Sequence, residues 1–365
     1  MFARFLIFTP CLVLLLCTAA SAQVNLFIFP ESASPDSMIL KLNGGIWPDS
    51  GVIIDWIYDW DDGTINTGFF PKFHTFPGPG AYLIRTDGYN DRNEHAADSF
   101  LYHLSPVPAT DVDSVALSED YRGLICGESF LLNVQAFDAA GNPLSLQGRD
   151  IRTFMVSCED YLDIALQDTV LSISAANHPN LDAAWNAFYV YVDRVRSVKP
   201  VHVITNRNQA DYWSASGDHV GIFLPDTFLN ASNLTSPETA QILDLGFGYQ
   251  DEAIGPDVPF PDSEPFQGIS YAPPVYGGSG NPLLVGDFTL PYNNGIPHFD
   301  VIFHEMGHNF SSACHALFGL NGSGPFYQET LAEWFMQYTL REILQHQLGE
   351  SVAQCLVRLD HHPQR

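Results

Sequence analysis

The sequence predicts a multidomain fold: two all-β sandwiches followed by a C-terminal α+β domain. Three observations carry this. From residue 23 to about residue 205 the chain runs as short alternating apolar stretches separated by Gly/Pro turns, the texture of half-buried strands. From about residue 206 that texture gives way to helix starts and a long Gly/Pro-rich stretch. Two helical patterns, "DVIFHEMGHNF" and "FYQETLAEWFMQYTLREILQ", then follow. The chain has 365 residues, 46% of them apolar, with 28 glycines and 25 prolines. That is enough to bury two or three cores, and too apolar for a disordered chain.

The first element is a leader. "MFARFLIFTPCLVLLLCTAASAQ" holds a basic Arg4, an apolar run from Phe5 to Leu16 and the small-residue site Ala20-Ser21-Ala22. Residues 1–22 therefore read as a signal peptide cut before Gln23, and the protein as secreted or on the cell surface. The run is too short to span a bilayer comfortably. The large Leu16 before Cys17 argues against a lipoprotein signal. No later apolar run is long enough for a transmembrane helix, so no membrane span is expected.

Four cysteines remain after cleavage: Cys126, Cys158, Cys314 and Cys355. None forms a CxxC pair. In an oxidising compartment Cys126 with Cys158 and Cys314 with Cys355 is one of three connectivities, with buried thiols as the alternative. Asp and Glu number 42 against 15 Lys and Arg, a formal charge of −27. Such a field repels phosphate backbones and anionic lipid, which excludes nucleic acid as the expected partner. The carboxylate excess fits solubility in salt, or structural calcium.

Residues 23–105 form the first β unit. "VIIDWIYDWDDGT" leads into "FHTFPGPGAYLIRTDGYND". Asp62-Gly63 is a turn dipeptide, and Gly80 lets the chain bend into an alternating strand. Trp60-Asp61-Asp62-Gly63, His74-Thr75-Phe76 and Pro79-Gly80-Ala81-Tyr82 resemble a polycystic-kidney-disease-type (PKD) domain, a small extracellular β-sandwich. The likeness spans about eighty residues, and departs from the family's Trp-Asp-x-Gly-Asp-Gly by lacking residues in that loop. Such domains are spacers or adhesive modules.

Residues 106–205 form the second. In "LLNVQAFDAAGNPL", Leu132, Val134 and Ala136 alternate with Asn133 and Gln135, and Gly141-Asn142-Pro143 makes a turn. "FYVYVDRV" and "VHVITN" are further strands. The pattern is similar to a bacterial Ig-like β-sandwich.

Residues 206–365 form the third unit. "HVGIFLP" reads as a strand. "SPETAQILDL" reads as a helix start, with Ser236 as N-cap and Pro237 at the first helical position. Gly255 to Pro291 is too long for a simple connection and reads as a functional surface. Pro297 can begin the next helix. There Phe299, Ile302, Phe303, Met306 and Phe310 make an apolar stripe that packs inward. His304 and His308 lie off the centre of that stripe, four apart and so on one face, where both imidazoles can reach one ion.

Zinc needs a third protein ligand and an open position for water. His315 is too far along the helix to share the ion. The spacing HExxHxxGxxH is excluded, because Ser311 and Cys314 stand where glycine and histidine are required. Glu329 is the better ligand. "QETLAEWF" puts Glu329 and Glu333 four apart on the following helix, so both point one way. The first can bind zinc, and the second can accept a hydrogen bond from a ligand histidine and fix its tautomer. Taken alone, that pair would read as a solvated helix face.

HEMGHNF followed by ETLAEWF resembles the gluzincin zinc metallopeptidases, over about residues 280–340. HExGHN is similar to enhancin-like and mucin-cleaving members, and ETLAEW to aminopeptidase-type members. The resemblance implies an α+β zincin catalytic domain and hydrolysis of peptide bonds in proteins or glycoproteins. Glu305 then takes the proton of the zinc-activated water as general base and passes it to the leaving amine. Gly307 gives the substrate and cleft backbone room, or is simply tolerated. Tyr327, His298 and Tyr292 are unranked candidates for the oxyanion donor. Asn281 to Asp287 is either the edge strand that pairs with an extended peptide or an ordinary core strand. Only 36 residues follow Glu329, fewer than the larger helical subdomain such peptidases carry, so the domain reads as truncated or minimal. His361 and His362 read as tail.

The leading expectation is thus a secreted zinc peptidase. Its rival is an extracellular adhesin or glycan-binding protein with a degenerate or incomplete peptidase domain. A zinc hydrolase acting on another bond is the third reading.

Overall fold

The computed structural model describes residues 24–48, 53–68, 70–92, 94–106, 109–157, 161–177, 181–207, 212–225, 234–254, 266–271, 281–285, 299–318 and 325–347. Residues 1–22, expected to be a signal peptide, and Cys158, Cys355, His298, Tyr292 and His361-His362 lie outside them. The side chains of Cys314, His315 and Tyr327 are likewise not described, so the cysteine pairings and oxyanion candidates rest on sequence alone.

The N-terminal part is two facing sheets. β1 (Val24–Ala33), β2 (Ile39–Pro48) and β5 (Lys72–Thr75) form one. β4 (Ile65–Thr67), β3 (Ile53–Asp59), β6 (Gly80–Asn90) and β7 (His95–Leu104) form the other. Their inner residues meet in one core: Ile28, Leu40 and Leu42 against Tyr58, Trp60, Phe76 and Ile84. The Asp62-Gly63 turn forms as expected, with Gly63 at φ +93°. Asp62 reaches His74 Nε2 at 2.7 Å, and the His74 ring stacks on Trp60 with centroids 4.4 Å apart. Burial holds the His74 pKa below the usual imidazole range, against the pull of Asp62.

The next part is again two sheets. One runs β11 (Pro143–Leu144), β10 (Ser129–Phe137), β14 (Val170–Ala175), β13 (Leu162–Gln167), with β8 (Ser114–Leu117) also on β10. The other runs β12 (Ile151–Met155), β15 (Ala183–Val192), β17 (Val201–Asn206), β9 (Tyr121–Ile125), with β16 (Val195–Arg196) on β15. β10 alternates as its sequence demands: Leu132, Val134 and Ala136 are buried, Asn133 and Gln135 exposed. β15 does not alternate, because every residue in it is buried. Its Phe188, Val190 and Val192 fill the sandwich core, while Trp185, Ala187, Tyr189 and Tyr191 face a second core on the other side.

The last part is a four-stranded sheet, β18 (Tyr212–Ser216), β19 (Val220–Pro225), β20 (Gln267–Tyr271), β21 (Leu283–Val285). Against it pack α1 (Ser236–Ile254), α2 (Phe299–Phe318) and α3 (Pro325–Gln347). α1 opens on a reciprocal cap, but one residue earlier than expected: Thr235 Oγ1 and N both bond the Glu238 carboxylate.

This corrects the expected fold class. More than half of the described residues lie in strands, and helix is confined to three segments among them. The chain is a mostly-β assembly of sandwich-like paired sheets, in which the two expected sandwiches have counterparts but the expected α+β zincin catalytic domain does not. The physical reason is that a pair of helix motifs reports on two local helices and says nothing about the sheets around them. Apolar β-branched runs such as "VGIFLP" decide the architecture by pairing.

Residues of the three parts meet in a further core. Ile39 and Phe73 of the first, Phe154, Val156, Trp185, Tyr189, Tyr191 and Ile204 of the second, and Phe223 and Phe266 of the last make one buried cluster. His202 stacks on Phe266 at 3.7 Å, and burial pushes its pKa down to about 3, so it serves there as a neutral ring. Two glycines allow the close approach. A Cβ on Gly123 would lie 2.1 Å from the Phe223 ring, and one on Gly221 would lie 2.3 Å from the Tyr121 ring. The Tyr121 hydroxyl donates to the Ile222 carbonyl at 2.7 Å. Gly123→Val is therefore expected to destabilise the protein by about 1–3 kcal/mol, the scale of overpacking a filled core. The denaturant midpoint measures it; an unchanged midpoint would show that the junction is loose.

Candidate metal centre

α2 is amphipathic for the reason its sequence suggests: Ile302, Phe303, Met306 and Phe310 are buried and join the sheet and α1 in one core. Two long-range hydrogen bonds hold it in register. Gln250 of α1, fully buried, donates from Nε2 to the Phe303 carbonyl at 2.9 Å. Asn309 donates from Nδ2 to Gln267 Oε1 of β20 at 2.6 Å. The Phe303 ring sits where α1 has Gly246, whose Cβ would lie 2.0 Å from it. α3 starts on Pro325, where the absent N–H costs nothing, and buries Ala332, Phe335, Thr339 and Ile343.

With the stripe turned inward, His304 and His308 flank it, their ring centroids 4.9 Å apart and nearly perpendicular. Glu329 comes to both from α3. Its Oε2 lies 3.2 Å from His304 Nε2 and its Oε1 lies 3.7 Å from His308 Nε2. Glu333 Oε2 lies 3.5 Å from the other nitrogen of His304, Nδ1. His304, His308 and Glu329 each offer one donor atom, all within 4.8 Å of one another. Tetrahedral zinc with bonds of about 2.0–2.1 Å sets its donors about 3.3 Å apart. The two contacts of Glu329 lie close to that spacing, and a two-nitrogen, one-oxygen set suits a zinc ion that also keeps water. The residues fit the ion.

Burial lowers the His308 pKa, as does His304 beside it, while Glu329 pulls the other way; a neutral imidazole is the form that binds a metal. Glu305 lies outside the donor cluster. Burial raises its carboxyl pKa, with His304 opposing and Glu329 adding.

The structure thus brings together His304, His308, Glu329 and Glu333, with Glu305 next in sequence to the first. It gives Gly307 a different place from the expected one. A Cβ there would meet Ala332 and Phe335 of α3, so its small size serves helix contact and not cleft room. β21 ends the sheet order, pairs in parallel with β20, and buries Leu283 and Val285 in the core. Sequence reasoning missed Gln250 and Asn309. Their partners are 53 and 42 residues away, and no local pattern marks such bonds.

No protein-family model matches the chain, and no curated protein does. Among solved structures it has weak similarity to PKD domains over part of its length. The PKD1 domain of the Vibrio cholerae metalloprotease PrtV matches at 10% identity and TM-score 0.21, over 22% of this chain and 96% of that one. Domains 4 and 5 of the S-layer protein SbsC match at 10% identity and TM-score 0.20, over 52% of this chain and 100% of that one. The fibronectin(III)-like modules of Clostridium thermocellum CbhA match at 12% identity and TM-score 0.19, over 50% of this chain and 95% of that one. Likeness at this level carries no argument about activity.

Proposed function

We propose that the chain is an extracellular zinc-dependent peptidase of gluzincin type in its metal site, cutting peptide bonds of proteins or glycoproteins. The observation that carries this is the convergence of His304, His308 and Glu329 on one position, with a half-buried carboxylate, Glu305, next to His304 in sequence. His304, His308 and Glu329 would hold a zinc ion, which when bound would supply Lewis acidity towards water and the scissile carbonyl. Glu305 would act as the general base, accepting a proton from the attacking water on its carboxylate and releasing it to the leaving amine. Glu333, facing His304 Nδ1, holds the ring in the tautomer that leaves Nε2 free to bind.

A second reading has the architecture on its side: an extracellular adhesin or glycan-binding protein with a degenerate or incomplete metallopeptidase domain. The strand-dominated body and the shared core favour it, and on architecture alone it is the stronger. The metal triad is what sets the first reading ahead. Under either reading the chain is read as extracellular, structural calcium stays a candidate from charge alone, and nucleic acid stays an unfavoured partner for a chain of charge −27. No described helix is long and apolar enough to cross a membrane.

The deciding experiment is metal analysis of the purified chain together with cleavage profiling on a peptide library, with and without a chelator. One zinc per chain and chelator-sensitive cleavage is the expected result. Zinc without peptide cleavage points to another bond as the target, and no zinc at all leaves the adhesin.

A further inference from the structure

His304, Gly307 and His308 lie on one face of α2 at offsets of three and four residues. Glu329, Ala332 and Glu333 repeat that spacing on α3. The two faces oppose each other, ligands against ligands, and the small residues meet in the middle. A Cβ on Gly307 would lie 3.0 Å from the Ala332 carbonyl oxygen, 3.1 Å from its Cα and 3.1 Å from Phe335 Cβ. Ala332 is fully buried. The helices touch there backbone to backbone, with no side chain of α2 between them.

Glycine is a poor helix former, so its place one residue before a ligand calls for a reason. From this contact we infer that Gly307 is a positioning residue for the metal centre. By letting α3 come to van der Waals contact, it brings Glu329 within reach of both imidazoles and Glu333 within reach of His304. The inference rests on the zinc reading above.

Magnitudes decide whether the contact matters. An ordinary Cβ contact is 3.4–4 Å, so a methyl group at 3.0–3.1 Å forces the neighbours apart by a few tenths of an ångström. A metal site tolerates about ±0.2 Å in its ligand distances. Glutamate is flexible enough to recover some of the loss at one oxygen. It cannot readily restore the contacts of Glu329 to two imidazoles and of Glu333 to His304 together, since the last is already at 3.5 Å. The opposing tether, Gln250 on the Phe303 carbonyl, keeps α2 against α1, so α3 is the helix that moves.

The test uses the full chain and compares the parent with Gly307→Ala, Ala332→Val and Gly248→Ala. Gly248 is the control, for a Cβ on it would meet nothing within 4 Å. Zinc and cadmium affinities are measured by competition with a chromogenic chelator, cobalt(II) absorption reports coordination geometry, and unfolding is followed on the metal-free chains. Gly307→Ala and Ala332→Val are expected to lose about ten- to a hundredfold in zinc affinity, the scale of misoriented ligands. They should lose less for the larger cadmium ion, and shift the cobalt spectrum. The metal-free midpoint of Gly307→Ala should hold, because the gain in helix propensity offsets the crowding. Gly248→Ala should bind as the parent does. Parental zinc affinity and an unaltered cobalt spectrum in Gly307→Ala would overturn the inference, as would equal losses for both metals that track a fall in metal-free stability. Absence of zinc from the parent itself would instead overturn the zinc reading, and this inference with it.

Discussion

Glu329→Ala is expected to empty the metal centre, while Glu333→Ala leaves it filled but weaker. The two carboxylates stand on one face of α3 with their side chains 63% and 48% exposed, so sequence spacing alone does not tell them apart. Geometry does. A ligand has to reach the point where both imidazoles converge, and Glu329 touches Nε2 of each ring, at 3.2 and 3.7 Å. Of the two imidazoles Glu333 lies near that of His304, at Nδ1, which faces away from the shared position when Nε2 binds, and its other oxygen accepts from Gln337 Nε2. Removing Glu329 leaves two histidines, too few for tight zinc binding. Removing Glu333 frees the His304 ring, at a cost of about ten- to a hundredfold in affinity or activity. Competition with a chromogenic chelator measures both variants on one scale. If Glu333→Ala empties the site and Glu329→Ala leaves it filled, the two assignments are reversed.

What could be read from the sequence was what is local and periodic. The stripe Ile302, Phe303, Met306 and Phe310 follows from helical spacing, and its burial fixes where His304 and His308 must point. The alternation of Leu132, Val134 and Ala136 follows from strand spacing in the same way. The fold class was not legible. Two helix motifs weighed heavily in a stretch whose sheet is assembled from pieces as distant as Val220 and Gln267, and parallel pairing leaves no short-range signature. The shared core did leave a trace. "AAWNAFYVYV" lacks the polar alternation of a strand with one wet face, which is how a strand covered on both faces reads. For Gly307 the sequence offered cleft room or tolerance, and neither could point to α3, because a glycine carries no side chain to show which way it faces. Gln250 and Asn309 are ordinary amides until their distant partners are known.

Glu305→Gln is expected to keep zinc and lower turnover by about two or more orders of magnitude, the scale of general-base catalysis. Glu305 follows His304 directly, yet it is absent from the donor cluster formed by His304, His308 and Glu329, so its loss removes no ligand. Burial raises its pKa, with the neighbouring His304 opposing and Glu329 reinforcing. In the metal-free chain the raised pKa means a carboxylate that holds a proton more strongly than usual. The same burial makes the charged form costly to fold, since the folded chain binds the proton more tightly than the unfolded one. Glutamine keeps the shape and removes that charge, so the metal-free variant should unfold at the same midpoint as the parent or a higher one. A catalytic carboxylate is thus separable from a structural one: activity falls while stability does not. Zinc content, peptide hydrolysis and the unfolding midpoint of the two proteins, measured side by side, make the test. Parental hydrolysis in the variant would remove Glu305 from the mechanism, and loss of activity accompanied by loss of zinc or of fold would assign it a structural role instead.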